Sequence, residues 1–153
     1  MKALVVYEAM WGNTREIVEA VASGLRRYAE VTIVEAAQAP SILPEDVDIV
    51  VAGGPTNAYD GQLRRWLDGL PTVAVAPAFA LFETRLGIAR PLPHSAGRRS
   101  AKVVAERGYR IVTELQTFYV RGHHRPLEPA ERCRAALWGE RVVLEAQLAT
   151  ESV

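Results

Sequence analysis

Residues 5–16, Val5-Val6-Tyr7-Glu8-Ala9-Met10-Trp11-Gly12-Asn13-Thr14-Arg15-Glu16, restrict what this chain can fold into more than any other stretch. An apolar run over residues 3–7 comes first, then a short loop holding Gly12, then an amphipathic pattern over residues 14–27. That order reads as strand, tight loop, helix. Asn13 or Thr14 is placed to cap the helix, and Asn13 with Glu16 has capping-box spacing. Glycine permits close backbone approach, and the first N–H groups of a helix have no internal partner. Such a junction can hold a phosphate through backbone donors and the positive helix end. Most strand-loop-helix junctions bind nothing; this one gains interest because it ends the first strand, where α/β sheets place ligands.

The remaining pattern repeats the alternation. Residues 31–34 read as a second strand nearer an edge, because Thr32 interrupts its apolar run. Residues 48–52 read as a third strand bounded by Gly53-Gly54-Pro55, with a loop over residues 56–61. Leu63, Trp66, Leu67 and Leu70 have the spacing of a helical core face, so packing accounts for Trp66 better than ligand stacking. Pro77 pushes the fourth strand to residues 78–83. Ser95 is placed to cap a helix lasting to Arg107, with Gly108 as its stop. Residues 109–120 read as one long fifth strand. A last helix starts near Pro129 and runs toward Leu148 with Ala130, Cys133, Leu137 and Trp138 facing inward. Strands alternating with helices predict a single α/β domain over residues 1–149, a doubly wound parallel sheet, and a frayed tail at 150–153.

With 153 residues, 49% of them hydrophobic, the chain can bury one sizeable core. Net charge is zero, which gives no general pull toward nucleic acid or membrane. The charges are unevenly spread, however. Residues 1–70 carry six basic and ten acidic side chains, whereas residues 85–110 carry seven basic against one acidic. That basic segment suits an anionic partner or, more simply, a solvated helix face. Cys133 is the sole cysteine, read as a small buried filler. Glu8 breaks the first apolar run, so a signal peptide is not expected, and no stretch is long enough to span a membrane. A cytoplasmic protein is the expectation.

Several chemistries lack their residues. There is no G-x-G-x-x-G and no G-x-x-x-x-G-K-[ST], and a G-x-S-x-G elbow is missing. A phosphoacceptor domain would need acidic residues after the first and third strands, where only Glu8 stands. A cysteine phosphatase would need its nucleophile in the first loop. His123 and His124 are adjacent in a loop, but no carboxylate or cysteine is evidently paired with them, so no metal site is expected.

Three segments carry a resemblance: Lys2-Ala3-Leu4-Val5-Val6-Tyr7, Trp11-Gly12-Asn13-Thr14, and Asp48-Ile49-Val50-Val51-Ala52-Gly53-Gly54-Pro55-Thr56. With the element order, they make the chain resemble the flavodoxin-like family, and its short type. The resemblance implies a five-stranded sheet in the order 2-1-3-4-5 with helices on both faces, and flavin mononucleotide (FMN) at the carboxyl edge. The family's phosphate loop, hydroxyl-x-Thr-Gly-x-Thr, falls on Ala9, Met10, Trp11, Gly12, Asn13 and Thr14. Ala9 and Trp11 replace two hydroxyl residues. Losing hydrogen bonds to a charged group at about 1.5–3 kcal/mol each implies FMN affinity lower by about a hundredfold or more. A second flavin loop falls on Pro55, Thr56, Asn57, Ala58 and Tyr59, with Tyr59 placed to stack on the ring. A third follows the fourth strand, where Phe82, Thr84 and Arg85 stand and the family's usual tyrosine is missing. Arg85 is the candidate for the flavin N1–C2 oxygen edge.

The resemblance implies an FMN-binding redox protein with no catalytic side chain, exchanging electrons with a redox partner, as monomer or homodimer. Two alternatives stand beside it. One is a binding or scaffold module with little or no FMN affinity, in which Trp11 fills the phosphate or ribityl space. The other is an FMN-dependent quinone-type reductase. Typical flavodoxins are strongly acidic, whereas this chain is neutral with a basic segment, so its partner differs or shuttling is not its task.

Overall fold

The computed structural model describes residues 1–9, 12–56, 61–87, 96–121 and 125–151. Among these, six strands form one parallel sheet with four helices. The elements are β1 (Lys2–Tyr7), α1 (Gly12–Leu25), β2 (Glu30–Glu35), a 3-10 turn (Ala36–Gln38), β3 (Ile49–Pro55), α2 (Gln62–Gly69), β4 (Ala78–Leu86), α3 (Ala96–Glu106), β5 (Arg110–Ile111), β6 (Gln116–Val120) and α4 (Pro129–Glu151). The sheet order is β2-β1-β3-β4-β5, and β6 also pairs with β4. This is the doubly wound order expected from the sequence, with β2 at an edge.

Every residue from Ala3 to Tyr7 is buried, as a parallel strand covered on both faces requires. Alternation along β4 divides the core. Ala78, Ala80 and Phe82 pack on the side of α1 and α4, whereas Phe79 and Leu81 face α2 and α3. Phe82, Phe118 and Trp138 meet edge to face at 5.8–6.0 Å between centroids. On the other face Trp66 packs against Phe79, and its indole N–H donates to the Pro40 carbonyl at 2.8 Å.

Four expectations about α1 and the strands are corrected. α1 begins at Gly12, so Asn13 and Thr14 lie inside it and neither side chain caps it. β3 continues through Gly53 and Gly54 to Pro55, paired with Phe82, Glu83 and Thr84. The Phe82 ring lies on Gly53, where a side chain would collide with it, so these glycines continue the strand. β4 likewise extends to Leu86. The single long fifth strand is two. Ile111 pairs with Phe79 and Gln116 with Phe82, so four residues lie between the pairs on one strand and two on the other. The excess loops out between them as a bulge.

The largest correction concerns α4. Ala135, Trp138, Gly139, Val142, Val143 and Ala146 face the core, whereas Ala130, Cys133 and Leu137 are exposed. The cause is the partner helix. A Cβ at Gly24 would strike the Ala136 carbonyl, and one at Gly139 would strike the Val21 carbonyl. The two backbones touch where both helices carry glycine, and that contact fixes the inward face of α4. The helix also runs through Thr150 to Glu151, two residues into the stretch expected to fray.

α4 closes the sheet edge as well. Its Glu131 accepts the Tyr119 N–H at 2.9 Å, and Arg134 donates to the Thr117 carbonyl at 2.5 Å. These strand groups would otherwise be free to pair with another chain.

Gly24→Ala is expected to lower stability by about 1–3 kcal/mol despite alanine's better helix propensity, because the new carbon meets backbone. Thermal and urea unfolding would show it, and an unchanged or higher Tm would refute the close approach. Removing both edge clasps, Glu131→Ala with Arg134→Ala, should produce concentration-dependent self-association in sedimentation velocity at protein levels where the parent chain sediments as a single species.

Candidate functional site

The crossovers diverge at the carboxyl ends of β1 and β3, since α1 covers one face and α2 the other. That crevice is where doubly wound sheets bind ligands. β1 is extended by Glu8, whose N–H donates to the Gly53 carbonyl at 3.2 Å. The Glu8 carboxylate turns away and accepts the Leu63 N–H at 3.1 Å, serving the start of α2. The residue that interrupts the apolar run is therefore a long-range helix cap.

Three threonines bring the strand ends together. The hydroxyls of Thr14 and Thr84 lie 3.3 Å apart, both buried, and Thr56 Oγ1 donates to the Thr84 carbonyl at 3.4 Å. Pro55 pairs with Thr84 across the sheet. The first, second and third expected loops thus meet around Thr84. Ala9 is exposed beside them.

Asn13 serves a purpose its spacing did not reveal. Its Nδ2 donates to the Arg125 carbonyl at 3.0 Å and to Glu16 at 3.2 Å, while its Oδ1 accepts the Arg121 N–H at 3.2 Å. It pins the start of α1 to the segment between β6 and α4. Arg15 faces Tyr7 instead of the loop: its guanidinium lies 5.2 Å from that ring centroid, bonds the phenol, and pairs with Glu19 at 3.0 Å. The hydrogen bond to Glu19 raises its pKa.

Phe82 is fully buried in the aromatic cluster, so it is a core side chain with no face left for a ligand. Arg85 pairs with Glu83 at 3.0 Å, and Thr117 donates to the same carboxylate oxygen at 3.2 Å. Among the described residues, Glu83 Oε2 and Arg85 Nη2 are buried without a hydrogen-bond partner. This pair lies on the α3 side of β4, opposite the threonines. Met10, Trp11, Asn57, Ala58, Tyr59, His123 and His124 lie outside the described residues. Gly12 is the first residue of α1. No cluster of metal-ligating side chains occurs among the described residues. Among them, too, no helix is long and apolar enough to cross a membrane.

A cleft of about 670 Å³ opens nearby, lined by Leu86, Tyr119, Val120, Arg121, Arg125 and Glu128 among others. Sequence reading missed it, because its walls come from segments more than thirty residues apart.

No family model matches the chain, and no curated protein matches it. Solved structures do. Oxidised flavodoxin 2 from Bacillus cereus superposes with a TM-score of 0.73 at 19% identity, covering 95% of this chain and 99% of that one. A flavodoxin from the domain Archaea gives 0.68 at 16%, covering 96% and 99%. A WrbA-like flavodoxin from Agrobacterium tumefaciens gives 0.63 at 18%, covering 96% and 98%. The chain has the flavodoxin-like fold over nearly its whole length.

Asn13→Ala should destabilise the fold by about 1–3 kcal/mol, because it strands the Arg121 N–H and the Arg125 carbonyl. Hydrogen exchange should show the loss at Arg121 first; unchanged protection there would contradict the bridging role.

Proposed function

We propose that the chain is a flavin-binding electron-transfer protein whose cofactor is FMN. The observation that carries this reading is the meeting of the β1, β3 and β4 ends around Thr14, Thr56 and Thr84 at the sheet's switch point. The donor set there suits an anion. The first turn of α1 holds no acidic residue, its leading N–H groups have no helical partners, and two threonine hydroxyls lie beside it. Gly12, Asn13 and Thr14 would hold the phosphate through backbone N–H groups, with the Thr14 hydroxyl adding a donor once it leaves Thr84. FMN, when bound, supplies the electron chemistry, and the chain supplies position and electrostatics. No described side chain is needed as acid, base or nucleophile.

A second reading has its own observation. Thr14 and Thr84 already satisfy each other, and both polar ends of the Asn13 side chain are engaged within the protein. An anion must displace the first contact and does without the second. That favours weak FMN binding, and in the limit a module that keeps the fold without the flavin.

FMN titration followed by fluorescence quenching separates the two. Saturable binding in the micromolar range is expected, abolished by Gly12→Val, which blocks backbone approach. Thr14→Val should weaken it by about tenfold, the value of one hydrogen bond to a charged group. A protein that leaves millimolar FMN fluorescent supports the second reading.

A further inference from the structure

Helix dipoles favour acidic residues in the first turn and basic ones in the last. The first turns of α1, α2 and α3 do the reverse, whereas that of α4 also holds Glu131. The fourth residue of every described helix is arginine: Arg15, Arg65, Arg99 and Arg132. Arg64 and Arg98 precede two of them. The first turns of α1, α2 and α3 hold no acidic residue, and the last turn of no described helix holds a basic one. Acids stand at the far ends instead, as Asp68, Glu106 and Glu151. The ion pairs Arg15–Glu19 and Arg64–Asp68 both run cation first, the less favourable order on a helix.

All four helices follow strands of one parallel sheet, so their first turns gather at its carboxyl edge. Side-chain charge there adds to the helix dipoles. Arg121 and Arg125 extend the same surface beside the 670 Å³ cleft. Among the described residues Arg65 and Arg125, both exposed, have no acidic partner. The helix starts therefore gather positive charge at a cost to the helices themselves, while at the far end of α2 Arg107 donates to the Leu67 and Asp68 carbonyls.

We propose that the carboxyl edge is a docking face for an acidic protein. Its apolar centre is the cleft walled by Leu86, Tyr119 and Val120, and its rim is arginine, the arrangement of a protein interface with steering charge. Taking that partner as a redox protein rests on the flavin reading above; the charge argument does not. Nucleic acid is disfavoured because the positive rim is interrupted by Glu16 and Glu128, which pair with Arg132 and Arg121.

The test uses a labelled acidic ferredoxin and, as the opposite probe, basic cytochrome c, with FMN content measured first by absorbance. Anisotropy titration should show ferredoxin binding that weakens at least tenfold between about 20 and 200 mM salt. The triple variant Arg65→Glu, Arg99→Glu, Arg132→Glu should lose at least tenfold in affinity while keeping the parent's FMN content. Arg65→Glu alone should raise the Tm, since it corrects a first turn. Preference for cytochrome c, salt-independent binding, an unaffected triple variant, or equal affinity for duplex DNA would each overturn the proposal. Salt-dependent ferredoxin binding by a protein that takes up no FMN would support the docking face and remove only the cofactor. A yellow protein that ignores ferredoxin would do the opposite.

Discussion

The contact between α1 and α4 sets the position of nearly everything else. Where Gly24 meets the Ala136 carbonyl and Gly139 meets Val21, two helices touch backbone to backbone over the sheet. A contact made of main chain has no rotamers to adjust, so it fixes the helices more tightly than a layer of leucines would. The inner face of α4 follows from it, and so does the seat of Trp138 against Phe82 and Phe118. At one end the seam holds α1 so that Thr14 reaches Thr84. On the same side of the seam it lays Glu131 and Arg134 on the outer edge of β6. Site and sheet edge are thus two results of one packing decision.

Much of the fold was legible because it is written locally. Apolar runs bounded by glycine and proline gave the strands, and i, i+3, i+4, i+7 spacing gave α2 with Trp66 inward. What could not be read was set by distant partners. α4 carries two apolar stripes, one through Ala135, Trp138, Val142 and Ala146, the other through Cys133, Leu137, Leu144 and Leu148. Periodicity cannot choose between them; the glycine seam does. The bulge between Ile111 and Gln116 is likewise invisible, since its register belongs to β4. Gly53 and Gly54 read as a stop because the sequence does not show the Phe82 ring lying over that part of the strand.

The candidate site divides along the same line. The first loop could be placed from a short apolar run and a glycine. The uses of its side chains could not. Asn13 bridges to a segment more than a hundred residues away, Arg15 turns to Tyr7, and Glu8 caps a helix on the opposite face. Each residue was visible as a polar group near a phosphate-sized opening; its actual partner lay in another part of the chain. The arginines at the helix starts were visible as well, but only the topology brings them to one edge.

The closed edge of β6 has a consequence in time. The strand is synthesised before the helix that covers it, so during translation its outward groups wait for Glu131 and Arg134 to emerge. At about 5–20 residues per second, the thirty or so residues from Val120 to Glu151 take roughly two to six seconds. Until then, the two side chains that bond its outward groups are missing. For those seconds the chain presents an unpaired strand to its neighbours on the same messenger. The order of synthesis thus makes the protection of this strand edge wait on the helix made after it.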